Sequence, residues 1–171
     1  DTIDATINQY GVDGRLYKAY QSKAKHYLEL NLNFTTNKDT RGSRVIYSSY
    51  SSNRFATSIF KSLMNTTGLV PYGRNTASNI AGVVAASRFS GLDAYPSIRE
   101  AGGRILVAGT ISDLAIEQNS SFNKEERKGI QSLSLELFFI SNSLDTSVYQ
   151  TQFDALVDNI AKGYLKALGM E

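Results

Sequence analysis

Apolar and polar side chains alternate in "YLELNLNF", residues 27–34. Successive strand side chains point to opposite faces, so this alternation predicts a strand. Asn is depleted from strand interiors, yet Asn31 and Asn33 share one face at its end. Upstream, "GVDGRLYKAYQSKAKH" sets Leu16, Ala19, Tyr20 and Ala24 at helical spacing, which predicts a short amphipathic helix running into that strand. The polar "TTNKDTRGS" that follows reads as a loop. "SRVIYSSY" then has the β-branched and aromatic content of a second strand, and its mixed polarity points to a sheet edge or one solvated face.

The next pattern is helical: in "SSNRFATSIFKSLMNTTGL" a stripe of Phe55, Ile59, Phe60, Leu63 and Met64 follows the capping candidates Ser51 to Asn53 and stops before Gly68. From 70 to 130 the periodicity is weak, and "GRILVAGTIS" fits either a buried helix or a buried strand. "QSLSLELFFISN" alternates again, with Ser132, Ser134 and Glu136 opposite Leu133, Leu135 and Leu137. Glu136, inside so apolar a strand, is not expected to be freely solvated. After a turn at "SNSLDTS", Tyr149, Phe153, Leu156, Val157, Ile160, Tyr164, Leu165 and Leu168 recur every three or four residues up to Gly169, predicting one long amphipathic helix.

Strands separated by helical crossovers argue for an α/β fold: a three-layer sandwich with a mostly parallel central sheet flanked by helices. A length of 171 residues, 42% hydrophobic and 20% charged, is that of one ordinary domain, so 1–171 is taken as a single domain. The net charge of +2 is spread along the chain without a basic patch, so nucleic acid is not an implied partner. No apolar run approaches a membrane span, and no signal-peptide pattern is present. The absence of cysteine removes disulfides and thiolate metal sites from consideration. The chain opens on Asp1 rather than Met, the start expected of a processed or trimmed product.

Common catalytic templates fail. "GVDG" and "AGG" lack the strand, spacing and lysine of a phosphate loop, no Gly-x-Ser-x-Gly elbow occurs, and His26, the single histidine, has no evident Ser and Asp partners. Glu136 reads either as a carboxylate held by backbone donors or an arginine, or as part of a polar site. Asn31 and Asn33 read either as strand-end hydrogen bonding or as ligand contacts, and His26 as a surface or interface residue. The ten tyrosines fill core and rim positions or line a glycan groove. "FNKEERKG" is most simply a solvated charged segment.

Four stretches taken in order resemble the zinc-dependent N-acetylmuramoyl-L-alanine amidases that cleave peptidoglycan. That family has a helix with an Arg-x-x-x-Ala pattern leading into a strand that ends His-x-Asn. Here Arg15 and Ala19 precede a strand closed by Asn31 and Asn33, with Asn31 in the histidine's place. "RGSRVIYSSY" and "SNRFATSIFKSLMNTTGL" match the next strand and helix. "ELFFISN", residues 136–142, resembles the family's Glu-Leu-Gly-Phe-Ile-Ser-Asn signature, with Glu136 at the catalytic glutamate's position. The likeness runs from about 12 to 169, with a variable insertion at 75–128.

The departures lie in the metal ligands. The family's opening strand, with its Gly-His-Gly-Gly motif, and the glutamate ligand after it have no counterpart, and a neutral Asn31 carbonyl is a poor substitute for imidazole. The resemblance therefore implies an amidase-like fold whose first strand is missing or replaced, with no cofactor. Such a domain would be an inactive structural or cell-wall-binding module, a component of a phage virion or bacterial envelope with peptidoglycan or a protein as partner. Glu136 keeps the catalytic position, and Arg15, Asn31 and Asn33 are the candidate binding residues. The alternative is a zinc amidase whose first metal motif lies in a removed segment or another chain. If the opening strand is absent, the sheet has an open edge that residues 1–12 or a partner segment is expected to fill.

Overall fold

The computed structural model describes residues 15, 18–19, 22–49, 51–73, 80–89, 92–93, 95, 97–98 and 130–170. They form an α/β fold in which a four-stranded sheet is flanked by helices. In chain order the strands are β1 (His26–Asn33), β2 (Arg44–Tyr47), β3 (Val83–Ala85), the short β4 (Arg88–Phe89) and β5 (Leu92–Asp93), and β6 (Gln131–Phe139). The helices are α1 (Arg54–Leu63), α2 (Ser143–Thr151) and α3 (Phe153–Ala167). The sheet order is β1-β6-β2-β3, and β4 and β5 form a separate antiparallel pair.

β2 pairs with β3 in parallel, Val45 opposite Val83 and Tyr47 opposite Ala85. β1 and β6 also run parallel, because the Gln131 and Ile140 amides donate to the Lys25 and Asn33 carbonyls, ascending both strands together. The mostly parallel sheet expected from the crossover pattern is thus present. Residues 1–12, one of the two segments expected to fill the open sheet edge, and "GRILVAGTIS" lie outside the described residues.

By contact the chain divides into two compact units, one of Leu30–Tyr47, Ser52–Ala85 and Ser134–Glu171, the other of Asp1–Glu29, Ser48–Ser51 and Ala86–Leu133. In the first, Val45, Ile59, Leu63, Val83 and Leu135 are fully buried together with Phe60 and Phe138. α1 and α3 pack closely because position 163 is glycine: a Cβ there would sit 2.7 Å from the Ile59 Cα. Gly82, at φ +82°, similarly leaves room for the Phe60 ring lying over it. In the second unit Ile98 and Ile130 are buried.

Three expectations change. β2 is not an edge: it lies between β6 and β3, and Val45, Ile46 and Tyr47 are all buried, so both of its faces are covered. β3 lies within the region read as a variable insertion, where three consecutive small apolar residues carry too little periodicity to announce a strand. The single long terminal helix is two. "SLDTS", read as a turn, begins α2 because the Asn142 side chain accepts from the Leu144 and Asp145 amides, and the backbone breaks at Gln152 (φ −126°) before α3.

Candidate functional site

The unit that contains Leu30–Tyr47 and Ser134–Glu171 gathers a polar cluster on the face of β1 and β6 that carries Asn31, Asn33, Ser134 and Glu136. The Asn31 amide donates to Ser134 Oγ at 2.9 Å, and the Asn33 amide donates to Glu136 Oε2 at 2.5 Å. Both asparagines therefore reach across to the neighbouring strand, two residues apart on each side. This is why amides are tolerated at a strand end: each satisfies a polar partner that burial would otherwise leave costly.

Glu136 is 4% exposed. Besides Asn33 it meets Arg44 of β2, whose Nε donates to Oε2 at 2.5 Å and Nη2 to Oε1 at 3.0 Å. Two parallel N–H donors on two carboxylate oxygens form the bidentate geometry that only a guanidinium supplies. Arg44 in turn lies over the Tyr72 ring, 5.2 Å from its centroid, and Tyr72 packs edge-on against Phe139 at 4.8 Å. The carboxylate is held as an ion pair braced by an aromatic shelf.

The same unit holds a second buried carboxylate. Asp145, fully buried, accepts from the Gly42 amide at 2.7 Å, the Phe139 amide at 3.0 Å and Arg41 Nε at 3.1 Å, while Arg41 Nη2 donates to the Gly68 carbonyl. Asn142, besides capping α2, donates to the Lys38 carbonyl at 2.7 Å. The loop between β1 and β2 is thus tied to the end of β6. Arg44, Asp145 and Asn142 are the residues that reading the chain missed. The "NSLD" spacing, a cap followed three residues later by an acid, was a usable signal for Asn142 and Asp145.

The remaining candidates belong to the other unit. Arg15 is exposed in helical backbone. His26 has its imidazole pushed below the ordinary value by burial and then by the charge of Lys25. Also there, Ser97 Oγ donates to Glu29 Oε2 at 2.7 Å, and Ser132 Oγ donates to the Ser97 carbonyl.

The zinc that belongs to the resembled family does not fit these donors. The whole chain holds one histidine and no cysteine. Asn31 turns its amide to Ser134, and the Glu136 oxygens are taken by Arg44 and Asn33. Among the described residues no three His, Cys, Asp or Glu side chains converge as a metal site would require.

No family model matches the chain, and no characterised protein matches it by sequence. Solved structures do. The CwlD amidase of Clostridioides difficile, determined in complex with the GerS lipoprotein, superposes with a TM-score of 0.60 at 15% identity, covering 100% of this chain and 68% of that one. The catalytic domain of CwlV, an N-acetylmuramoyl-L-alanine amidase of Bacillus (Paenibacillus) polymyxa var. colistinus, gives 0.57 at 16% identity over 92% of this chain and 65% of that one. AmiC2 of Nostoc punctiforme, another such amidase, gives 0.55 at 15% identity over the same shares. The chain thus spans about two thirds of the length of these structures, and its fold is that of the N-acetylmuramoyl-L-alanine amidases.

Proposed function

We propose that this chain is an amidase-like domain that does not hydrolyse peptidoglycan and serves as a structural or cell-wall-binding module, in a virion or a bacterial envelope. The observation that carries this reading is the state of Glu136. A glutamate that assists hydrolysis must accept and return a proton within reach of the reacting atoms. Here both oxygens are engaged by a guanidinium fork and an amide. Asn31 adds a neutral amide where the family has imidazole, so a water lowered toward a pKa of about 7 has no ligand set to hold it.

The test pairs catalysis with binding. Purified protein supplied with zinc is incubated with peptidoglycan, and released stem peptides are measured beside co-sedimentation with the insoluble wall. The reading expects no release. Wall binding identifies the cell-wall module and its absence the structural one, whereas stoichiometric zinc with peptide release would overturn both.

A second reading, a zinc amidase completed by another segment or chain, has one observation in its favour. About a third of the length of CwlV and AmiC2 has no counterpart in this chain, and such a third could carry metal ligands. It predicts that adding the completing polypeptide raises zinc content and activity together. Assembly with another protein suits either reading, since one structural neighbour was solved with a lipoprotein bound. No helix among the described residues is long and apolar enough to cross a membrane.

A further inference from the structure

The carboxylate of Glu136 is met by donors from two other strands: Nε and Nη2 of Arg44 and the amide of Asn33. Contacts that do not involve the Glu136 side chain hold those donors in place. The Arg44 guanidinium lies over the Tyr72 ring, 5.2 Å from its centroid, and that ring packs edge-on against Phe139. The backbone is fixed as well. The Tyr72 amide donates to the Ser43 carbonyl at 2.7 Å, the Ser43 amide to the Val70 carbonyl at 2.8 Å, and the Ile140 amide to the Asn33 carbonyl at 2.8 Å. Donors held in position before the anion arrives bind it better than donors that must be gathered, because less conformational freedom is lost. A guanidinium fork further selects a planar anion with two oxygens.

We propose that Arg44, Asn33 and Tyr72 form a carboxylate-binding site that the chain fills with its own Glu136. The inference rests on the reading of Glu136 as a held carboxylate rather than a reacting one. Its two partners in the ion pair are unequally covered: the Glu136 side chain is 6% exposed and that of Arg44 31%. The receptor thus reaches solvent while its occupant does not. Glu136 is tethered beside the fork by β6, so its effective concentration there exceeds that of a dissolved acid, and the intact protein is closed to external carboxylates. Glu136→Ala removes one methylene and the carboxylate, the heavy atoms of acetate. It leaves a cavity of that shape and takes from Arg44 the carboxylate it holds here.

Acetate is therefore the probe. Thermal unfolding of Glu136→Ala is followed in sodium acetate and in sodium chloride of equal ionic strength, beside the unaltered protein. A ligand that binds only the folded state raises the midpoint as its concentration rises. The midpoint of Glu136→Ala should climb with acetate and not with chloride, by an increment absent from the unaltered protein and from the double variant Arg44→Met, Glu136→Ala. Glu136→Ser, which leaves a hydroxyl on β6 in the carboxylate's place, carries the same test should the alanine variant not fold. Equal responses to acetate and chloride would overturn the proposal. So would an acetate increment that survives the loss of Arg44 or is as large in the unaltered protein. Release of stem peptides from peptidoglycan by the unaltered protein would instead overturn the reading of Glu136 on which the proposal rests, so the two failures are told apart.

Discussion

β1 and β6 are hydrogen-bonded neighbours with the same written pattern, leucine alternating with a polar residue, and they have opposite surroundings. In β6 every residue from Ser132 to Phe139 is buried, polar and apolar alike. In β1 Leu30 and Leu32 are exposed. Alternation therefore reports that a strand is present and says little about where it lies in the sheet. Among the described residues β6 has a strand on each side and β1 on one side only, and a central strand must satisfy its polar side chains from adjacent strands. Ser134 and Glu136 are satisfied in that way, by Asn31, Asn33 and Arg44.

The sharpest way to break this comparison is to make the same truncation in both strands. Leu135→Ala removes a fully buried side chain and should cost about 2–5 kcal/mol by chemical denaturation. Leu32→Ala, at a side chain 53% exposed, should stay within about 0.5 kcal/mol, as surface changes do. Similar losses at both positions would mean that β1 is covered after all.

Next in size is Arg44→Met. It leaves the Glu136 carboxylate buried with Asn33 as its remaining partner from the cluster, and should cost about 1–3 kcal/mol, discounted because the Arg44 side chain is about a third exposed. Adding Glu136→Leu should recover much of the loss, since a buried ion pair replaced by apolar groups of similar volume is often near neutral. A double variant less stable than the sum of the single changes would show that the cluster contributes more than the satisfaction of one buried charge. Smaller still, Asn142→Ala removes the cap of α2 and should cost about 1 kcal/mol.

The last prediction concerns pH, at the beginning of β1. The His26 imidazole is held below its ordinary value by burial and then by Lys25. As pH falls, the unfolded chain therefore binds this proton first. The stability associated with the neutral ring is whole above about pH 6.5 and declines as pH drops below it. His26→Gln should flatten the pH dependence of stability just below about pH 6.5, and an unchanged slope would place the titration elsewhere.

Much of the fold was legible along the chain. β1, α1 and β6 lie where the period of the pattern put them, while the cap expected before α1 does not form: Asn53 precedes the helix without a side-chain hydrogen bond to it. The order of strands was not legible, and with it went the reading of β2 as an edge, since mixed polarity in "SRVIYSSY" looks the same whether Arg44 faces water or a buried glutamate. The partners of Glu136 were half legible. An arginine was one expected holder, but Arg44 lies far away in sequence and only the sheet register brings it near. Asn31 and Asn33 were singled out as a pair because amides at a strand end need partners. Their targets, Ser134 and Glu136, had been recognised as sharing a face of β6, and the fold joins the two observations.

Asp145 accepts amide protons from Gly42 and Phe139, which lie far apart along the chain. One carboxylate thus holds both, and neither amide can open to solvent without loosening the same anchor. In native-state hydrogen exchange the two should fall in one protection class and respond together to Asp145→Asn. The loop between β1 and β2 should therefore not behave as an independently breathing segment, despite its polar composition. It opens and closes with the start of α2.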